Sequence, residues 1–98
     1  MEIRIKFVDP LVGCSRQTVE EQIESWLGSS GELLGGGAAT DGSWAHIDFS
    51  VEDDVINRVG LQAYFSTLKT ILRAARVPPS TKITAFLDET EKEETVVG

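Results

Sequence analysis

The residues of this chain best suited to acid–base chemistry are His46 and Asp48, which lie two positions apart in an alternating apolar segment. Residues separated by two share one face of a β-strand, so the imidazole and the carboxylate would lie side by side. A carboxylate can orient an imidazole and stabilise its charged form, as a general acid–base pair requires. The alternative is a solvated polar pair, and the sequence contains no activated serine motif. We therefore predict no catalytic residue and no enzyme.

The supply of metal ligands and reactive thiols is small. His46 is the single histidine and Cys14 the single cysteine among the 98 residues. An internal disulfide and a multi-thiolate metal site are therefore excluded. A nucleophilic thiolate would need a neighbouring base, and none lies close to Cys14 in the sequence. We expect a reduced cysteine near the edge of the core, with no metal site and no cofactor.

Three consecutive glycines, Gly35, Gly36 and Gly37, have the composition of a phosphate-binding loop. Such a loop joins a strand to a helix N-terminus. These glycines instead precede Asp41-Gly42, a pair favoured in two-residue hairpin turns. Strand glycines often mark a bulge or the close approach of another backbone. Because this arm is expected at a sheet edge, the alternative is that it accepts a strand from a partner.

Two helical segments and three alternating segments predict the elements that position these residues. Apolar side chains alternate in residues 3–7, 45–51 and 81–87, which predicts strands with one buried face. We expect a first helix with Thr18 as N-cap, Glu21 completing a capping box and Gly28 at its end. One long second helix should begin between residues 53 and 60 and end before Pro78-Pro79. Its predicted core face comprises Ile56, Val59, Ala63, Leu68, Ile71, Leu72 and Ala75, with Tyr64 and Phe65 beside it.

The order strand, helix, strand, strand, helix, strand predicts an α+β fold. It is the order of a ferredoxin-like βαββαβ sandwich, in which two helices cover one face of a four-stranded antiparallel sheet. The first and third strands are central in that topology. Residues 1–87 would form the single domain and residues 88–98 an acidic tail, with an extra strand at residues 95–97 as the alternative. The uncovered sheet face would present Arg4, Lys6, Trp44, His46, Asp48, Lys82, Thr84 and Phe86.

The charge balance disfavours a nucleic-acid partner. The formal net charge is −7, and residues 88–98 contribute −4 of it through five carboxylates and Lys92. Nucleic-acid affinity depends on cations that displace counterions from phosphates. Trp44 and Phe86 resemble a base-stacking platform, but residues 43–50 lack the RNP1 pattern. We expect a basic protein partner. The acidic tail is interpreted as a solvated terminus, or alternatively as a lure for a basic cleft.

Membrane association and secretion are not predicted. No segment approaches the run of about eighteen apolar residues that a membrane span needs. Residues 1–6 alternate as a strand does, which differs from the pattern of a signal peptide. We therefore expect a cytoplasmic protein, either a monomer or a homodimer.

Residues 33–87 combine the glycine arm Gly35-Gly36-Gly37, the strand His46-Ile47-Asp48-Phe49-Ser50-Val51-Glu52-Asp53, and a long helix leading to Val77-Pro78-Pro79-Ser80-Thr81. This combination is similar to small bacterial proteins of the immunity type, which are encoded beside secreted or contact-delivered toxins. The resemblance implies a non-catalytic inhibitor that covers the active site of a cognate toxin, and it carries over no contact residue.

We therefore predict a protein-binding module. Its contact residues would be Trp44, as an exposed aromatic anchor, with the other residues of the open sheet face and the glycine arm. The alternative is a small-ligand-sensing or regulatory domain that acts as a dimer and binds metabolites between its subunits.

Overall fold

The computed structural model describes residues 1–9, 11, 15–38, 40, 44–86 and 91–95. Its elements in chain order are β1 (Glu2–Phe7), α1 (Arg16–Leu27), a short 3₁₀ turn, β2 (Gly31–Ala38), β3 (Ala45–Val51), α2 (Asp53–Val59), α3 (Leu61–Ala74), β4 (Lys82–Phe86) and β5 (Glu91–Thr95). The strands form one antiparallel sheet in the order β2-β3-β1-β4-β5. The chain is therefore an α+β protein, and β1 and β3 occupy interior positions.

A single hydrophobic core joins the helices to one face of the sheet. Alternate residues of β1, β3 and β4 are buried, as the period of two predicted. The fully buried large side chains come from the strands and from α1 and α3: Phe7, Phe49, Phe65, Ile3, Ile5, Ile23, Ile47, Leu68, Leu72, Ile83 and Val19. Because successive strand residues point to opposite faces, this packing directs the intervening side chains away from the helices.

Helix α1 begins one turn earlier than predicted. Its N-cap is Ser15, which has an extended backbone and whose Oγ accepts a hydrogen bond from the Thr18 amide at 3.2 Å. Thr18 therefore lies inside the first turn, and the predicted capping box of Thr18 and Glu21 is wrong. Serine is itself among the preferred N-cap residues, so the helix starts at the earlier cap. The predicted end at Gly28 is confirmed.

The second helical segment is two helices, and the prediction of one long helix is wrong. Gly60 separates α2 from α3 with φ 90° and ψ 138°, a conformation that is costly for a residue with a Cβ. The break changes the phase between the helices, so Val59 and Ala63 are exposed instead of facing the core. The buried residues of α3 are Tyr64, Phe65, Leu68, Lys69 and Leu72. Among the described residues, no helix is both long enough and apolar enough to cross a membrane.

A fifth strand extends the sheet beyond the four strands predicted. Residues 91–95 pair with β4, which places Thr95 opposite Lys82 and Glu91 opposite Phe86. This part of the predicted tail is therefore a sheet edge, because its backbone completes the hydrogen-bond ladder of β4 whatever the polarity of its side chains. Residues 88–90 and 96–98 lie outside the described residues, as do Cys14 and the predicted Asp41-Gly42 turn.

Candidate functional site

The sheet face opposite the helices carries the predicted contact residues of β1, β3 and β4. Arg4 of β1 lies in register between Asp48 of β3 and Thr84 of β4. All seven predicted residues on these strands are at least partly exposed and alternate with buried ones: Arg4, Lys6, His46, Asp48, Lys82, Thr84 and Phe86. The register therefore brings together side chains from distant parts of the chain on one open surface.

Asp48 is the centre of the polar contacts on this face. The guanidinium of Arg4 donates from Nε to Oδ1 at 2.8 Å and from Nη2 to Oδ2 at 3.2 Å. Such a two-pronged pair is stronger and more directional than a single hydrogen bond. Partial burial raises the pKa of Asp48, but the hydrogen bond and charge of Arg4, with smaller contributions from His46, outweigh it and hold the pKa below 3.8. Asp48 is consequently ionised at neutral pH and paired with Arg4.

His46 is held by neighbours on three sides. Its Nδ1 donates to Oδ1 of Asp48 at 3.2 Å, because an ionised carboxylate can only accept. Its ring lies nearly parallel to Trp44, with an interplanar angle of 10° and ring centroids 5.8 Å apart. Its Nε2 lies over β2, only 3.1 Å from where a Cβ on Gly37 would be. The predicted His46–Asp48 pair is thus formed, and the Trp44 ring stacks on its imidazole.

Trp44 and Phe86 stand at the two ends of a continuous set of contacts. Trp44 is 41% exposed. At the other end, Cζ of Arg4 lies 5.6 Å from the centroid of the Phe86 ring, within the range of a cation–π interaction. We call Trp44, His46, Asp48, Arg4 and Phe86 the sheet-face array. Because each member contacts a neighbour, these side chains have less rotamer freedom than isolated ones.

The glycine arm borders the sheet-face array. The register of β2 on β3 shifts between Leu33 and Gly35, an irregularity of the kind that strand glycines favour. A Cβ on Gly36 would overlap the backbone carbonyl oxygen of His46. The glycine therefore permits a close approach of two backbones, as the sequence suggested. β2 also forms one edge of the sheet among the described strands, and its use as an acceptor of a partner strand stays a prediction.

A cleft on the helical side was missed by sequence reasoning. It has a volume of about 160 Å³ and is lined by Trp26, Ser30, Val55, Val59, Tyr64 and Thr67. The ring of Trp26 packs against Tyr64, with ring centroids 4.6 Å apart. Burial raises the pKa of Tyr64 to about 12, so its hydroxyl stays neutral. The cleft is lined from both α2 and α3, the helices separated by the break at Gly60, and helical periodicity gives no signal for that break.

Comparison with known proteins leaves the family of this chain open. None of the family models, curated proteins or solved structures matches it. Within the described ranges, no group of three or more His, Cys, Asp or Glu side chains is arranged to hold a metal ion. The similarity to immunity-type proteins therefore stays a prediction from residues 33–87, and function has to be inferred from the geometry of the site.

Proposed function

We propose that this chain is a non-catalytic protein-binding module that docks through the sheet-face array. In this proposal it is an immunity protein that binds and inhibits a cognate bacterial toxin enzyme in the cytoplasm. The observation that carries the proposal is Trp44, an exposed tryptophan held in place by His46 beside the Arg4–Asp48 pair. Tryptophan and arginine are the residues that most often dominate the binding energy of protein interfaces.

The order of the array also supports binding. A free tryptophan side chain would lose rotamer freedom at an interface, at a cost of about 0.5–1.5 kcal/mol for each immobilised group. Here Trp44 lies against the His46 ring, and Nδ1 of His46 is held by Asp48. Arg4 in turn fixes both oxygens of Asp48. Much of that ordering is therefore complete in the unbound protein.

The topology supports a place in the ferredoxin-like class of sandwiches. The first four strands have the order β2-β3-β1-β4, and the helices share one core with a single sheet face. A sandwich with two layers leaves the second sheet face uncovered and available for contacts. The break at Gly60 and the added β5 are departures of this chain from the simple six-element pattern.

The test is binding to, and inhibition of, the toxin encoded next to this chain's gene. Trp44→Ala should weaken binding about 30-fold or more, the factor that corresponds to a hot spot of about 2 kcal/mol. Val59→Ala is the matched control, because it truncates another half-exposed apolar side chain (50% exposed) on the helical side. Titration calorimetry gives the dissociation constants, and circular dichroism checks that both variants fold. If folded Trp44→Ala binds the toxin as tightly as the wild type does, the array is ruled out as the contact surface. If the wild-type protein neither binds nor inhibits the toxin, the immunity function is ruled out.

The small-ligand alternative has one observation in its favour, the cleft between Trp26 and Tyr64. The hydroxyls of Ser30 and Thr67 donate to backbone carbonyls of their own helical turns, so their protons are already used within the protein. The cleft therefore suits an uncharged aromatic ring better than a polar metabolite. A thermal screen against small aromatic compounds should raise the melting temperature if this candidate is correct. A screen without any rise would remove it.

A further inference from the structure

Two lysines stand directly opposite each other on the open sheet face. Lys6 of β1 and Lys82 of β4 are register partners, and both alternate with buried residues on their strands. Opposed residues in an antiparallel pair have Cβ atoms about 4.5–5.5 Å apart, and like charges placed this way destabilise the sheet. On the other side of Lys6, β3 contributes His46 at the same level. We call His46, Lys6 and Lys82 the lysine row.

Among the described residues, Lys6 and Lys82 have no carboxylate partner, and His46 contacts Asp48 through Nδ1. Within the described residues, the salt bridges involve the N-terminus, Arg4, Arg16 and His46, and neither lysine. The register ends the row at uncharged neighbours, with Gly37 opposite His46 and Thr95 opposite Lys82. Glu93 of β5 is one row away, opposite Thr84. Within the part of the chain that the structure describes, the fold thus places two lysines side by side without a carboxylate partner for either.

This arrangement is unusual for a chain with so many carboxylates. The protein has 16 acidic and 9 basic residues, so partners for two lysines are plentiful in its composition. Arg4, in the next row, is paired with Asp48 through two hydrogen bonds. Two neighbouring lysines left unpaired beside a paired arginine form a local site of positive potential, and such a site complements negative charge on a partner.

We infer that the lysine row receives the carboxylates of an acidic segment of the protein partner. The inference rests on the proposed function. It makes the partner's contact segment acidic, whereas the net charge of −7 alone would favour a basic partner. An acidic peptide suits the row better than a nucleic acid. An extended polyanion would cross the face and be repelled by the carboxylates of Glu2, Asp48 and Glu93. Two neighbouring glutamates of a peptide could contact the lysine row without reaching those carboxylates.

The experiment uses an acetylated hexaglutamate peptide as its probe. Backbone amide shifts in a ¹H–¹⁵N titration at low salt should concentrate at the residues of the lysine row. Each lysine removed should weaken binding by about fivefold, the factor for one exposed charge pair at contact distance in water. Lys6→Gln is therefore expected to raise the dissociation constant by about that factor, and Lys6→Gln/Lys82→Gln by about 25-fold. Arg58→Gln is the matched control, because it removes one exposed cation from α2 and should leave the dissociation constant nearly unchanged.

Three results would overturn the inference. The first is an absence of peptide-induced shifts in the wild-type protein, and the second is equal peptide affinity in the double lysine variant. The third is tighter binding of a hexauridine oligonucleotide at the same residues, which would assign the row to nucleic acid. Because hexaglutamate has no apolar anchor, it tests the lysine row without the Trp44 contact. A failed peptide titration therefore contradicts the lysine-row inference but not the proposed binding through Trp44. A failed toxin-binding test contradicts the proposed function without deciding whether the row binds the peptide.

Discussion

Gly36 and Gly37 are adjacent on β2, yet the structure predicts a large loss of stability when alanine replaces Gly36 and a small change when it replaces Gly37. A Cβ on Gly36 would overlap the carbonyl oxygen of His46 and lie 3.1 Å from its carbonyl carbon and 3.3 Å from Cα of Ile47. All three are backbone atoms of the interior strand β3, which is paired on both sides and cannot retreat. β2 would have to lift away from β3 to admit the methyl group.

The cost of Gly36→Ala follows from the hydrogen bonds lost. Lifting β2 around this residue would break two or three backbone hydrogen bonds, each with a net contribution of about 1 kcal/mol, so we expect a loss of about 2–3 kcal/mol. For a domain of this size, that loss lowers the melting temperature by about 10–20 °C. At Gly37, the Cβ would meet only the imidazole of His46, with Nε2 at 3.1 Å and two ring carbons at 3.8 Å. A small ring movement relieves that contact, and alanine restricts the unfolded chain, so the net change should stay within about 1 kcal/mol.

Urea unfolding followed by far-ultraviolet circular dichroism measures both variants against the wild type. We expect Gly36→Ala to unfold at clearly lower urea, while Gly37→Ala unfolds close to the wild type but shifts the indole N–H resonance of Trp44. That resonance should move because the displaced His46 ring lies parallel to the indole. Equal stability of the two variants would refute the register of β2 on β3. An unchanged Trp44 resonance in Gly37→Ala would refute the placement of His46 over β2.

Three further predictions concern the array, the helix break and the lysine row. The lowered pKa of Asp48 means that its pairing stabilises the fold above pH 3.8 and ceases to do so as the pH falls through the lowered value. Asp48→Asn should therefore lower the free energy of unfolding by at most about 1 kcal/mol at pH 7, since both partners are partly exposed. The difference should shrink as the pH falls through the lowered pKa of Asp48. A difference independent of pH would contradict the pairing. Gly60→Ala should cost about 1–3 kcal/mol in urea unfolding, because φ 90° strains any residue with a Cβ; a variant as stable as the wild type would contradict the break. Lys82→Gln should raise the melting temperature at low salt by relieving about 0.2–1 kcal/mol of repulsion from Lys6, with the gain disappearing in 1 M salt; an unchanged or lower melting temperature at low salt would show that the lysines do not repel.

The outward direction of the array residues could be predicted from the sequence, but their partners could not. The period of two in β3 shows that His46 and Asp48 share a face, and their contact is local in the chain. The Arg4–Asp48 pair joins residues 44 positions apart. It depends on the register of β1 on β3, and a shift by two residues would keep Arg4 on the open face but place it opposite a residue other than Asp48. Alternation within one strand does not distinguish between these two registers.

The elements that prediction missed are those in which a backbone interaction outweighs a side-chain pattern. Ser15 and Thr18 are both suitable N-cap residues for α1, so residue type alone does not decide where the helix begins. Gly60 interrupts the helical pattern because its φ angle is positive. The spacing of the apolar residues on either side does not predict that angle. Residues 91–95 have the composition of a solvated tail but pair with β4 through main-chain groups. A charged edge strand also resists pairing with a further chain, which suits the outer position of β5.

The net charge and the open sheet face predict partners of opposite charge, because charge acts locally at an interface. A total of −7 favours a basic partner only when the contact surface has the average charge of the molecule. The open sheet face instead contains the opposed Lys6 and Lys82 and the exposed Trp44. Neither feature stabilises the fold, since like charges across strands repel and an exposed indole remains in water. Features that oppose stability are expected where a protein binds, and here both lie on the single face that the helices leave uncovered. The face therefore argues for a partner with an apolar pocket flanked by carboxylates, a combination that neither the net charge nor the aromatic content would indicate alone.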